Sequence, residues 1–145
     1  MATNRVRYYN AVKTHRIMVL LDTSFLMKIF ERPLKTFDTI GQTFGTTQFF
    51  VLDDVVEELR ILASSTSSKR GKIALQALKY AGGLPRIKCH CNAPTVDGKI
   101  YDCALNKGVI VATVDVELKQ DLRRAGVAVI TCRGNKVVIE GVSSK

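Results

Sequence analysis

The chain has no tryptophan, three prolines and two histidines in 145 residues. No apolar run approaches the roughly 18 residues that cross a bilayer, so a transmembrane helix is excluded as an organising feature. Asn4-Arg5-Val6-Arg7 is not followed by the apolar region of a signal peptide, which makes the cytoplasm the expected location and leaves no membrane partner. Cys89, Cys91, Cys103 and Cys132 do not form a zinc pattern, because Cys89-x-Cys91 is spaced too tightly and no second pair follows. Buried free thiols are the expected state of these cysteines. His15 lies in a basic lead segment and His90 in an expected strand, so no serine or cysteine triad is in evidence.

Acids are scarce and unevenly placed. Lysine and arginine number 22 against 13 aspartates and glutamates, a formal charge of +9. No acid precedes Asp22, while Arg5, Arg7, Lys13 and Arg16 do, so residues 1–16 read as a basic lead segment. No acid separates Glu58 from Asp97, a stretch that holds Arg60, Lys69, Arg70, Lys72, Lys79, Arg86 and Lys88. Such blocks suit a phosphate backbone, whose binding is driven by counterion release. Charge alone fits a solvated basic surface or an acidic protein partner equally well.

Against this background two short apolar runs each end in an aspartate: Ile17-Met18-Val19-Leu20-Leu21-Asp22 and Val109-Ile110-Val111-Ala112-Thr113-Val114-Asp115. Both read as buried parallel strands with the acid where the next helix begins. Around them a helix follows Leu21 on the apolar face of Phe25, Leu26, Ile29 and Phe30, and Pro33 starts another through about Phe44. Gln48 to Leu52 reads as a strand and Asp54 to Ala63 as a helix. Ser64 to Gly71 is a polar loop by composition, and Lys72 to Tyr80 a helix closed by Gly82-Gly83. Arg86 to Cys91 is expected as a strand and Asp97 to Asn106 as a helix. Val109 to Thr113 is the central strand and Asp115 to Arg124 the last helix. Val127 to Cys132 and Lys136 to Val142 are joined across Gly134-Asn135. The alternation predicts one α/β domain over residues 1–145: a three-layer α/β/α sandwich with a mainly parallel sheet and a C-terminal β-hairpin edge.

Most of these acids also have a plain structural use. Asp22, Asp97 and Asp115 are all candidate helix N-caps. Asp54-x-x-Glu57 reads as a capping box, with Arg60 in i,i+3 reach of Glu57. Glu58 is left without such a use, and Val55, Ile61 and Leu62 give it an apolar setting that is costly for a carboxylate lacking a cation, a metal or an arginine partner. Jointly, Asp22, Glu58, Asp97 and Asp115 are candidates for one crevice at the carboxyl ends of the strands. Clustered carboxylates suit hard cations such as Mg²⁺ or Mn²⁺, which can activate water toward a phosphodiester.

At these residues the chain resembles the PIN-domain family of metal-dependent ribonucleases, from about Ile17 to Cys132. Val19-Leu20-Leu21-Asp22-Thr23-Ser24 is similar to the family's first motif. Phe50 to Leu59 is similar to the second, which selects Glu58 over Glu57. Asp97, seven residues before Ala104, fits the third, and Ala112-Thr113-Val114-Asp115 the fourth. Gly98 is a departure, since many relatives carry a second acid there, and Asp102 one turn later is a candidate supplement. The basic lead, Ile110 to Leu118 and the Val129-Ile130 strand look most like the rRNA-processing branch of archaeal and eukaryotic PIN endonucleases.

The resemblance implies a metal-dependent endoribonuclease of ribosomal RNA maturation, hydrolysing phosphodiesters with metal-activated water. Asp22, Glu58, Asp97 and Asp115 would be the catalytic and metal-holding set, with Thr113 in support and Mg²⁺ or Mn²⁺ as cofactor. RNA, such as an rRNA precursor, would be the partner, with homodimerisation and ribosome-assembly proteins as further associations. Lys69, Arg70 and Lys72, beside the serine-rich loop, are candidates for the RNA backbone. Two alternatives stand beside this reading: a toxin ribonuclease of a toxin-antitoxin pair, and a non-catalytic RNA-binding assembly module whose acids only cap helices.

Overall fold

The computed structural model of the chain describes residues 16–32, 46–65, 67–89 and 91–141. The basic lead segment before Arg16, the helix expected from Pro33 to Phe44, His15 and His90 lie outside them. Strand β1 (Arg16–Leu21) is an interior strand of the sheet. Its Ile17, Val19, Leu20 and Leu21 are fully buried, so both faces of the run are covered, as a continuous apolar strand requires. On one side β1 pairs in parallel with β2 (Thr46–Phe50), and on the other with β3 (Ile110–Ala112). β3 pairs in parallel with β4 (Val129–Arg133), and β4 antiparallel with β5 (Lys136–Glu140). The order β2-β1-β3-β4-β5 is the expected mainly parallel sheet with an antiparallel edge.

Among the described residues five helices pack around it: α1 (Thr23–Glu31), α2 (Asp53–Ala63), α3 (Lys69–Gly82), α4 (Val96–Lys107) and α5 (Val116–Arg124). α2 lies along α3, and α3 also packs on α1. Ala74, Ala77 and Ala81 form a buried stripe of small side chains that lets α3 come close to its neighbours. Gly71 has a related task. A Cβ there would stand 1.7 Å from the Ser65 carbonyl oxygen, so only glycine lets the chain turn back on itself where α3 begins.

Several elements differ from what the sequence predicts. α3 starts three residues before the expected Lys72, because Ser68 caps it by accepting the Gly71 N–H at 2.9 Å. The expected capping box is not made. Leu52 holds the cap position of α2, the Asp54 carboxylate pairs with Lys99 at 2.6 Å, and Glu57 bonds to Arg60. The strand expected over Arg86 to Cys91 is reduced to a bridge between Val51 and Arg86. The Arg86 guanidinium is committed to Asp53 and to the Ala81 and Leu84 carbonyls, and Cys89 is drawn to α4 by a disulfide with Cys103. That disulfide also overturns free thiols for these two cysteines. Cys91 and Cys132 are free and half-buried.

At the other end of the sheet the Glu140 carboxylate is nearly buried among three cations: Arg133 at 2.8 Å, Arg123 at 3.2 Å and Lys119 at 3.5 Å. Burial alone would raise its pKa. The Arg133 hydrogen bonds and the Lys119 charge outweigh burial and hold it below the usual carboxylate value. A depressed carboxylate stabilises the fold above its unfolded pKa, and that stability is lost as pH falls through the folded value. Glu140→Gln is therefore expected to destabilise the protein by about 2 kcal/mol at neutral pH, because it leaves the cations without their counter-charge. Urea denaturation at neutral pH and near pH 3 checks this, since the difference between variant and wild type should shrink in acid. An undiminished difference would show that packing, not charge, is what the carboxylate supplies.

Candidate active site

The register of the central pair sets up the site. Leu21 lies opposite Ala112, so the first residues beyond the two strands, Asp22 and Thr113, emerge side by side at the carboxyl end of the sheet. The Asp22 N–H donates to the Ala112 carbonyl at 2.9 Å and fixes that juxtaposition. The strand order changes direction between β1 and β3, which is where an open α/β sheet leaves a crevice.

Asp22 occupies the N-cap position of α1, but its carboxylate makes no cap bond, contrary to that expectation. Instead Oδ2 accepts the Ser24 hydroxyl at 2.6 Å and the Thr113 hydroxyl at 2.6 Å. The residue is only 3% exposed, and an anion so deep would be expensive without those donors. Each hydroxyl is itself oriented by a backbone N–H, Val114 on Ser24 and Asp115 on Thr113, both at 3.1 Å. The proton of each is thus directed at Asp22 Oδ2, and among the described residues Oδ1 is left as the available oxygen.

Asp115 does cap its helix, with Oδ1 accepting the Leu118 N–H at 2.8 Å. Asp97 does not: Thr95 caps α4 by accepting the Gly98 N–H at 3.0 Å, and Asp97 stands in the first turn with no hydrogen bond or ion pair among the described residues. Glu58 receives the Thr23 hydroxyl on Oε1 at 2.5 Å, tying α2 to the residue after Asp22. Among the described residues no lysine or arginine comes within ion-pair distance of Glu58.

Asp22, Glu58, Asp97 and Asp115 all line one crevice of about 830 Å³, together with Lys28, Lys69 and Arg70. Asp97 senses the other three. Partial burial, then the charges of Asp22, Asp115, Glu58 and Glu117, push the Asp97 carboxyl up from 3.8 to about 6. Of the other sequence candidates, Thr113 is fully buried and holds Asp22, whereas Asp102 and Lys72 are not among the crevice-lining residues. Sequence reasoning missed the roles of Thr23, Ser24 and Lys28. The signal for the first two was their place directly after Asp22; Lys28 is one helical turn past Ser24 and so shares its face.

Among the described residues no three acids, cysteines or histidines stand close enough to enclose an ion. A closed cage is what structural zinc or calcium needs. Mg²⁺ keeps most of its water and uses one or two carboxylates plus substrate phosphate. An open crevice of carboxylates, one of them raised by partial burial and by its neighbours' charge, fits that second kind of ion.

Comparison with known proteins agrees with this architecture. The sequence pattern of the family described as "PIN like domain" matches residues 19–135. The solved structure of the PIN domain endonuclease Utp24 superposes with a TM-score of 0.69 at 25% identity, covering 86% of this chain and 92% of that one. A domain of a functionally unknown protein from Methanocaldococcus jannaschii DSM 2661 shares the fold at TM-score 0.60 and 12% identity, covering 83% of this chain and 94% of that one. No curated protein matches the sequence. With the matched pattern spanning most of the chain and all four crevice acids inside it, the chain belongs to the PIN-like domain family.

Proposed function

We propose that the protein is a nuclease, and specifically a divalent-metal-dependent endoribonuclease in which Asp22, Glu58, Asp97 and Asp115 are catalytic and hold Mg²⁺ or Mn²⁺. The observation that carries this is the convergence of four acids from four separate segments on one crevice that also presents Lys28, Lys69 and Arg70. The likeness to the endonuclease Utp24 supports the reaction class. A ribosomal RNA precursor is the target that the branch resemblance points to.

A bound Mg²⁺ or Mn²⁺ supplies charge neutralisation at the phosphate and lowers the pKa of water toward neutrality. The chain supplies the rest. Ser24 and Thr113 fix the Asp22 carboxylate, and Thr23 fixes that of Glu58. Lys69 and Arg70 hold phosphates of the strand by charge, without reading sequence. Asp97 keeps a proton below about pH 6 in the metal-free protein and must give it up before it can bind a cation.

Purified protein is expected to cut end-labelled single-stranded RNA internally with Mn²⁺ and to be silenced by EDTA. The metal concentration for half-maximal cleavage should rise as pH falls through about 6. Cleavage that persists in EDTA would refute the metal requirement. Purified protein that leaves RNA intact at every Mn²⁺ concentration would refute the nuclease.

A further inference from the structure

Among the described residues three large apolar side chains are well exposed: Met18 at 38%, Val116 at 61% and Ile61 at 63%. Only Ile61 lines the crevice. A lone exposed isoleucine needs no explanation, but this one has company. Leu62 of α2, Ile73 of α3 and Met27 of α1 line the same crevice, so three helices contribute to an apolar wall beside the acids.

The order of groups along that wall matters. Ile61 and Leu62 follow Glu58 by three and four residues, on the same side of α2 and about 4.5–6 Å further along its axis. Lys69 and Arg70 stand in the first turn of α3, with Ile73 one turn beyond them. The crevice therefore presents acid, then apolar surface, then base. A nucleotide strand has the matching order: a phosphate at a metal-loaded acid site, an apolar base face, then the next phosphate.

We infer that Ile61, Leu62 and Ile73, backed by the nearly buried Met27, form a nucleobase subsite that grips the base adjoining the scissile phosphate by its face. This rests on the nuclease reading and goes further, because it sets how the substrate is read. Isoleucine, leucine and methionine offer no donor for a base edge, so the subsite tolerates any base. It does require that the base be unstacked and unpaired, since a duplex does not offer base faces. A protein partner seated on Ile61 would close the crevice over Glu58, and the flanking cations argue for a polyanion instead.

The test is a coupling experiment that needs no turnover. Binding of short single-stranded RNAs to the Asp22→Asn protein is followed by fluorescence anisotropy, with a single abasic residue moved along the strand and with Ile61→Ser added. Ile61→Ser should weaken binding about fivefold, and an abasic residue at one position should do the same. The two together should cost no more than either alone. Since Ile61 is a surface residue, the melting temperature should not move, and Ile61→Phe should bind at least as tightly as the parent. Additive losses, no loss, or duplex RNA bound as tightly as single strands would overturn the subsite. So would an Ile61→Ser protein with unaltered RNA binding and altered self-association in sedimentation. A wild-type protein that cuts no RNA in Mn²⁺ refutes the nuclease reading alone, and the coupling still decides the subsite.

Discussion

Replacing Asp22 by asparagine is expected to lower RNA cleavage at least about a thousandfold while leaving the fold intact. The two halves of that expectation come from different atoms. The Ser24 and Thr113 hydroxyls donate to one carboxylate oxygen, and an asparagine amide oxygen in the same place accepts both. The buried hydrogen bonds survive, so thermal stability should hold. What disappears is the charge, and with it the most deeply buried anionic donor of the crevice. The same substitution should be legible without turnover. Asp22 is the largest charge acting on Asp97, so in metal-free Asp22→Asn the Asp97 titration followed by NMR should fall below the wild-type midpoint of about 6. Retained cleavage would remove Asp22 from the chemistry. Lost cleavage with a collapsed melting temperature would reduce it to a structural acid.

The fold was largely legible because its central strands carry a strong signal. Ile17 to Leu21 and Ile110 to Ala112 are apolar on both faces, which in a chain of alternating helices and strands means a covered parallel sheet, and that is where they lie. The joint placement of Asp22 and Thr113 followed from register once the two strands were neighbours. Legibility failed where a distant partner decided the outcome. Arg86 to Cys91 has strand composition, but Arg86 is taken up by Asp53 and two carbonyls, and Cys89 by Cys103 on α4. Asp54 looked like a cap, and Lys99, 45 residues away, claims it instead. Ser64 to Gly71 read as loop because serine and glycine usually mean one. Here Ser68 is a cap, and Gly71 is present for close approach to Ser65. The positioning hydroxyls of Thr23 and Ser24 were within the quoted motif, yet their targets depend on geometry that spacing does not carry.

Asp115 offers the sharpest separation of a helix cap from a site residue, because one side chain is placed to be both. Its Oδ1 accepts the Leu118 N–H, so a capping role is real, and the residue lines the crevice with the other three acids. Asparagine caps as well as aspartate, whereas alanine does not cap and costs typically about 1 kcal/mol. Asp115→Asn should therefore keep its stability to within a few tenths of a kcal/mol and lose cleavage about a hundredfold or more. Asp115→Ala should lose cleavage to the same extent and about 1 kcal/mol of stability besides. Denaturation midpoints and cleavage rates on the same two proteins check both statements. An Asp115→Asn protein as active as wild type would mean that the acid is there for α5 alone, and the metal would then rest on Asp22, Glu58 and Asp97. If the two variants are equally inactive and only alanine is destabilised, capping and catalysis are separate uses of one carboxylate. The run of strand into aspartate would then be placing a charge on the crevice while its backbone starts a helix.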